Sequence, residues 1–134
     1  MIVQEQLPMV AVPSMNDTHL EEMIIVNRLE SAARSGDIQS VEKILQEFHE
    51  HSIEHFTSEE TLMKESGFPA FHVHKAEHDR HLHELEALRK YFDTNRDTKA
   101  IVAYLDGNLV KWIIHHIQTM DTVSAMHIQT HLNS

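Results

Sequence analysis

Long stretches free of helix breakers are the feature of this sequence that most limits its fold. Only three glycines and three prolines occur in 134 residues. Thr-His-Leu-Glu at 18–21 has the order of a capping box and predicts the start of a first helix. Gly36 can adopt the left-handed conformation that ends many helices, so the first helix is expected to end near it. Residues 1–16, which contain Pro8 and Pro13, are predicted to form an extended arm.

A second and a third helix follow from the same kind of signal. Asp37 can cap a helix that continues to about Ser66, where Gly67 interrupts it. Pro69 suits the first position of a third helix, because its fixed φ angle is helical and it has no N–H to satisfy. This third helix is expected to end near Phe92.

The polar residues 93–98 separate the third helix from a fourth, which is predicted to end near Met120. Residues 121–134 either extend that helix or form a short separate turn. Four long helices with short connections predict an all-α fold, an antiparallel up-down-up-down four-helix bundle. The bundle is expected to occupy residues 17–120 of a single domain, 1–134, with 121–134 as its C-terminal tail.

Composition excludes several classes of function. The net charge is −10 and no basic stripe appears, so neither nucleic acid nor an anionic membrane surface is an expected partner. There are no cysteines, which excludes disulfides and thiolate metal sites. No apolar run approaches the roughly 18 residues of a membrane span, and no signal peptide is apparent, so a cytoplasmic protein is expected.

Histidine shares the apolar face of every predicted helix. Burying an unpaired imidazole costs about 1–3 kcal/mol, and a buried carboxylate costs more. Four inward faces with histidine therefore predict that a bound cation compensates this cost, and imidazole with carboxylate suits iron, zinc, copper or nickel. The inward-facing polar residues are His19, His55, Glu59, His74, His78 and His116.

No single motif in this set is specific. His74 and His78 are four residues apart and can chelate one ion, but a chain with 13 histidines contains such pairs by chance. The same spacing occurs in two other pairs, His51 with His55 and His127 with His131. The HEXXH motif of zinc proteases is absent, because Glu77 directly precedes His78.

Asp121 poses a problem of helical phase. It follows His116 by five residues, which places it about 140° away on a straight α-helix. The two side chains can therefore share an ion only if the intervening turn unwinds or bulges, as helices often do at functional sites. His115 lies about 100° from His116 and is expected to be exposed.

Four motifs, taken in order, resemble those of a bacterial hemerythrin. They are DTH at 17–19, HFTSEETLM at 55–63, HKAEHD at 74–79, and W-three-residues-HI-three-residues-D at 112–121. The resemblance covers about residues 10–121 and includes the turn GFPAF at 67–71. It implies a non-haem centre of two iron ions, bridged by an oxide or hydroxide, inside the bundle.

The resemblance also implies the role of each residue. Nitrogen ligands would come from His19, His55, His74, His78 and His116, and the bridging carboxylates would be Glu59 and Asp121. One iron then keeps an open position, where family members bind dioxygen. An apolar lining would come from Phe56, Met63, Trp112 and Ile117, for each of which ordinary core packing is an equal explanation.

Two departures from the family concern the N-terminal arm. The arm lacks the tryptophan that many relatives carry, and Asn16 stands where the family often has aspartate. Neither position is a proposed ligand. The expected packing of the arm is therefore less well defined than the metal site.

The function expected from these observations is reversible dioxygen binding by a monomer or weak homo-oligomer. Three alternatives remain: a di-iron enzyme acting on peroxide, nitric oxide or ferrous iron; a module that senses iron or oxygen for a redox or signalling partner; and a structural zinc site. A carrier needs a dry site with a single vacancy, whereas an enzyme needs an added proton path or a second open position.

The other histidines fall into three groups. His81 faces inward, one turn beyond His78, where the family usually has an apolar residue, and is expected to bond a neighbour or contact a ligand. His72 and His83 are expected on the solvent side. The remaining histidines are expected to be exposed or partly exposed, with a weak surface site at the last two left open: His49, His51, His115, His127 and His131.

Overall fold

The structure, a computed structural model, describes residues 1–133 and contains a four-helix bundle. Three of its helices are α1 (Pro13–Arg34), α2 (Ile38–Glu65) and α3 (Phe71–Asn95). The fourth is a continuous run of α4 (Thr98–Tyr104), α5 (Val110–His116) and α6 (Thr122–Leu132), joined by two π turns, Leu105–Leu109 and Ile117–Asp121. No strand occurs in residues 1–133. The predicted all-α bundle is confirmed.

The larger part of the apolar core lies in one half of the bundle. It is formed by the C-terminal half of α1, the N-terminal half of α2, the C-terminal half of α3, and α4, which the antiparallel arrangement brings to one end. A smaller part lies at the opposite end and includes Met15, Met63 and Ile128. Full burial of one large apolar side chain contributes about 1.5–3 kcal/mol to the stability of the fold. Fully buried members include Val26, Val41, Phe48, Phe92, Ile101 and Leu105. This packed half fixes the helices that carry the polar cluster in the other half.

The start of α1 differs from the prediction. The helix begins at Pro13, with Val12 as its N-cap, and not at the expected capping box. The Thr18 hydroxyl donates to the Ser14 carbonyl at 3.1 Å, so it does not cap a helix end. Proline is favourable at the first helical position because its fixed φ angle is helical and it has no N–H to satisfy. Here it extends α1 toward the N-terminus.

The N-terminal arm is held by two asparagines of α1. The Val10 N–H donates to Asn16 Oδ1, and Asn16 Nδ2 donates back to the Val10 carbonyl, both at 2.9 Å. Asn27 makes the same pair of bonds with Ile2, whose side chain is buried. The asparagine amide both accepts from the Val10 N–H and donates to the Val10 carbonyl. An ionised aspartate at position 16 could only accept, so it would lose the second of these bonds.

The end of α1 and both ends of α2 follow the expected chemistry, whereas the start of α3 does not. Gly36 and Gly67 have φ angles of 72° and 67°, the left-handed conformation after a helix. Asp37 caps α2 by accepting from the Ser40 N–H at 3.2 Å, as predicted. The third helix begins at Phe71, two residues later than expected, because the segment before it forms a turn in which the Phe71 N–H donates to the Phe68 carbonyl.

The fourth helix does not end near Met120. It continues through the second π turn into α6, so residues 122–132 extend the helix rather than forming a separate turn. Within residues 1–133 no helix has both the length and the apolar character needed to cross a lipid bilayer.

Candidate metal centre

All seven predicted site residues lie together in the interior of the bundle. His19 comes from α1, His55 and Glu59 from α2, His74 and His78 from α3, His116 from α5 and Asp121 from the second π turn. Every one of these side chains is buried, and Asp121 has an exposed fraction of 0%. Residues separated by about a hundred positions in the sequence thus share one polar cluster.

The cluster contains two overlapping groups of ligand atoms. In each group the atoms lie within 4.8 Å of one another. The three-histidine position combines His74, His78 and His116 with both carboxylates, and the two-histidine position combines His19 and His55 with the same two carboxylates. Glu59 and Asp121 are therefore shared by both positions.

Glu59 reaches both positions because it lies one turn after His55 on the same face of α2. Its Oε2 atom is 2.7 Å from His55 Nε2 and 3.7 Å from His19 Nε2. Its Oε1 atom is 3.2 Å from His78 Nε2, on the other side of the cluster. One carboxylate oxygen thus faces each group of imidazoles.

Asp121 reaches the cluster because the helix bulges before it. The π turn Ile117–Asp121 accommodates one residue more than an α-helical turn, so a side chain five positions after His116 returns to the same face. Asp121 Oδ1 lies 3.2 Å from His116 Nε2 and 3.0 Å from His74 Nε2, and Oδ2 lies 3.1 Å from His19 Nε2. The structure thus has the bulge that Asp121 needs in order to share a face with His116.

The electrostatics of the cluster require positive charge. Burial and the charge of Asp121 raise the pKa of Glu59, but His55 and His19 outweigh them and hold it below its ordinary value. Burial alone would lower the pKa of His19, yet Asp121 and Glu59 raise it to about 9. Two ionised carboxylates in the interior are thus compensated either by protons on the imidazoles or by metal ions.

Several polar atoms inside the cluster fit metal ions better than protons. Glu59 Oε1, His78 Nε2 and Asp121 Oδ1 are buried and have no hydrogen-bond partner among residues 1–133. The Nε2 atoms of His74 and His116 face each other at 3.2 Å, so only one of them can donate to the other. Imidazole nitrogens and carboxylate oxygens that converge in this way form the donor set expected around a transition-metal ion.

Comparison with known proteins agrees with this geometry. The family described as Hemerythrin HHE cation binding domain matches residues 11–126, most of the chain. The chain belongs to the hemerythrin family. Members of this family bind metal, and the buried cluster is able to hold one.

Individual hemerythrins are similar over most of their length. Bacteriohemerythrin of Methylococcus capsulatus is 32% identical over 111 residues, covering 79% of each chain. Bacteriohemerythrin of Aquifex aeolicus is 27% identical over 114 residues, covering 85% of this chain and 87% of the relative. A solved structure of wild-type hemerythrin superposes with a TM-score of 0.78 at 27% identity and covers 96% of both chains.

Two carboxylates outside the hemerythrin cluster orient its imidazoles. Glu22 Oε2 lies 2.8 Å from His55 Nδ1, and Glu60 Oε2 lies 2.9 Å from His78 Nδ1. A carboxylate at Nδ1 fixes the ring and leaves Nε2 free to bind a metal ion. Sequence reasoning missed both residues, although Glu22 shares a helical face with His19 and Glu60 directly follows Glu59.

Flat aromatic rings cover one side of the cluster. Phe56 stacks on His78 with ring centroids 4.0 Å apart, and Trp112 stacks on His116 at 4.6 Å. Trp112 is fixed by its Nε1–H, which donates to Glu77 Oε1 at 2.7 Å. Two other residues of the predicted lining, Met63 and Ile117, are buried in the core.

The histidines outside the cluster lie where helical phase predicts. His81 is 2% exposed and stacks on Trp112, with ring centroids 4.0 Å apart. His127 Nε2 donates to the Ser66 carbonyl at 2.8 Å, so one of its ring nitrogens is already used. The other six are exposed or half-buried: His49, His51, His72, His83, His115 and His131.

Proposed function

We propose that this hemerythrin holds two iron ions, one for each group of ligand atoms, and binds dioxygen reversibly. The observation that carries the proposal is the pair of overlapping positions that share Glu59 and Asp121. The names of similar proteins, bacteriohemerythrin and myohemerythrin, support the same function.

The proposed ligands divide between the two iron ions. His74, His78 and His116 would bind the first iron and His19 with His55 the second, and Glu59 and Asp121 would bridge both. An oxide or hydroxide bridge would complete the centre, as the family resemblance implies. The bound iron would supply the electrons and the open position that dioxygen requires, on the side with fewer nitrogen ligands.

The protein contributes orientation and the exclusion of water. Glu22 and Glu60 hold two of the imidazoles in a fixed orientation through Nδ1. Phe56 and Trp112 cover the imidazoles of the three-histidine position with apolar rings. Restricting water and protons near the centre favours release of intact dioxygen over its reduction.

The test is a cycle of deoxygenation and reoxygenation. Protein from iron-supplied cells is first analysed for metal, because a zinc content equal to the site content would indicate a structural site instead. The iron-loaded protein is then reduced without air and exposed to dioxygen. We expect a visible absorption band that disappears under argon and returns in air; no band from protein with both positions filled by iron would overturn the proposal.

A further inference from the structure

A layer of buried polar side chains lies beside the proposed metal centre. The chain runs in one direction in α1 and α3 and in the opposite direction in α2. Moving toward the C-terminus on α1 or α3, or toward the N-terminus on α2, therefore leads to the same end of the bundle. Three residues correspond to about 4.5 Å along a helix axis. Each residue of this polar layer is three positions from a histidine of the cluster: Glu22 after His19, Ser52 before His55 and His81 after His78.

The polar layer is buried as completely as the cluster itself. Glu22, Ser52 and His81 have exposed fractions of 5%, 1% and 2%. A hydroxyl buried without a hydrogen bond costs about 1–3 kcal/mol, so buried polar groups in proteins normally have partners. Glu22 has a partner in His55, whereas the Ser52 hydroxyl has none in residues 1–133 and therefore calls for an explanation.

Ser52 is the member of the layer that points to a ligand. Its Oγ atom is buried and has no hydrogen-bond partner in residues 1–133. Several other helical hydroxyls donate to the carbonyl four residues earlier, namely those of Thr18, Thr61, Thr119 and Thr130. The Ser52 hydroxyl makes no such bond and is therefore free to donate into the interior.

Phe56 connects the layer to the metal centre. It follows Ser52 by one turn on α2, and its ring meets the His81 ring edge-on, with centroids 5.9 Å apart. The other side of the layer is connected through Glu22, which bonds His55 and attracts His81 electrostatically. Trp112 stacks on His81 and closes the side that faces α5.

The chemistry of the layer suits a neutral molecule. Burial lowers the pKa of His81 to about 4, so the ring is neutral near pH 7 and offers one donor and one acceptor. The Ser52 hydroxyl also donates and accepts, whereas the Glu22 carboxylate only accepts and disfavours a nearby anion. A small molecule that both donates and accepts hydrogen bonds matches all three groups.

We propose that Glu22, Ser52 and His81 bind one neutral hydrogen-bonding molecule, of the size of water or hydrogen peroxide, beside the metal centre. The proposal goes beyond dioxygen binding and does not depend on it, because the layer would bind such a molecule whichever metal the cluster holds. A polar molecule at this place also brings hydrogen-bond donors close to the centre, which should speed oxidation of ferrous iron by dioxygen.

The direct test is a crystal structure of the zinc-loaded protein, since zinc accepts the same ligands and has no redox chemistry. One crystal is kept in buffer and another is soaked in hydrogen peroxide. We expect electron density within hydrogen-bond distance of Ser52 Oγ and a His81 ring nitrogen. Elongated density in the soaked crystal alone identifies peroxide, and single-atom density in both identifies water. A layer without density in either crystal overturns the proposal.

A double variant tests the consequence for the iron-loaded protein. Ser52→Ala with His81→Phe removes the two donors and keeps a flat ring against Trp112. We expect unchanged iron content and oxidation in air slowed about tenfold. The matched control is Thr57→Ala with His83→Phe, at exposed positions of the same two helices, which should change neither.

If the double variant unfolds, Ser52→Ala alone can be used in its place, because it removes one hydroxyl and changes the packing very little. It should lose the crystallographic density and slow oxidation in the same direction. Density that persists in Ser52→Ala, or an oxidation rate equal to that of the control, would contradict the proposal. Because the zinc-loaded crystals do not require dioxygen binding, failure of the proposed function and failure of this proposal give different results.

Discussion

At the scale of single residues, Glu59 and Asp121 have the positions on which the proposed centre depends. Each carboxylate lies against imidazoles of both groups, whereas each histidine belongs to one group. Their burial would be costly without positive charge, so the same two residues favour a bound cation and define the place where it would bind. The neighbouring Glu60 contacts the outer nitrogen of His78 and lies 3.8 Å from Lys75 Nζ, at the edge of the cluster.

This contrast predicts different effects for two adjacent substitutions. Glu59→Gln keeps the size of the side chain but removes a charge shared by both positions, so the protein should lose most of its iron from both. Glu60→Gln should keep iron with an affinity lowered about 10- to 100-fold, the range typical of carboxylates that orient a ligand. Metal analysis after dialysis against graded chelator measures both, and equal losses would show that Glu59 is no bridge.

His81 predicts how the stability of the metal-free protein depends on pH. Its pKa is lowered to about 4 by burial, below the ordinary value of 6.5, so the unfolded chain binds a proton more readily than the folded one. The stability that a neutral His81 contributes is present above pH 6.5 and falls by about 3 kcal/mol as the pH drops toward 4.

Urea unfolding of the metal-free protein at several pH values measures this dependence. As the pH falls from 6.5 to 4, the unsubstituted protein should lose stability that His81→Phe keeps. The free energy of unfolding of the variant minus that of the unsubstituted protein should therefore rise. His83→Phe, at an exposed position, serves as the control and should show a constant difference. A constant difference for His81→Phe as well would mean that this ring is not buried neutral.

At the scale of helices, the second π turn determines whether Asp121 belongs to the centre. One extra residue between His116 and Asp121 is absorbed by the bulge, and α6 continues beyond it. If the bulge were removed together with one residue, the aspartate would follow His116 by four positions in a regular α-helix. Those positions also share a face.

Deletion of Gln118, an exposed residue of the π turn, is therefore expected to be tolerated. The helix should become regular and the protein should keep its iron. Deletion of Thr57 from regular α2 rotates the two ends of that helix by about 100° and should abolish binding. Circular dichroism and metal analysis compare the two deletions; loss of iron in both to the same extent would contradict this role of the bulge.

The limits of sequence reasoning are also clearest in the helices. Helical phase placed six of the seven predicted site residues on inward faces and allowed Asp121 to join them only if the helix bulged; the ordered motifs added Asp121 itself. Both kinds of signal depend on spacing along one chain. The start of α1 was wrong because two signals competed, and Pro13 extends the helix past the capping-box residues. The contacts of Glu22 with His55 depend on how α1 and α2 pack, which spacing along one helix does not determine.

At the scale of the whole molecule, the polar cluster lies inside an apolar core. Buried apolar side chains pack on both sides of the cluster, and the larger group lies toward the end where α1 connects to α2. This packing holds the ligands in place before a metal ion binds. A preformed set of ligands of this kind can bind two iron ions at shared carboxylates with little rearrangement.

The central claim is that two iron ions share Glu59 and Asp121, and magnetic spectroscopy of the oxidised protein tests it most directly. Two ferric ions joined by bridging ligands couple their spins and give no electron paramagnetic resonance at low temperature, while Mössbauer spectra still count all of the iron. We predict that the unsubstituted, fully loaded protein is resonance-silent. A strong signal from isolated ferric ions in the unsubstituted, fully loaded protein would contradict a shared centre.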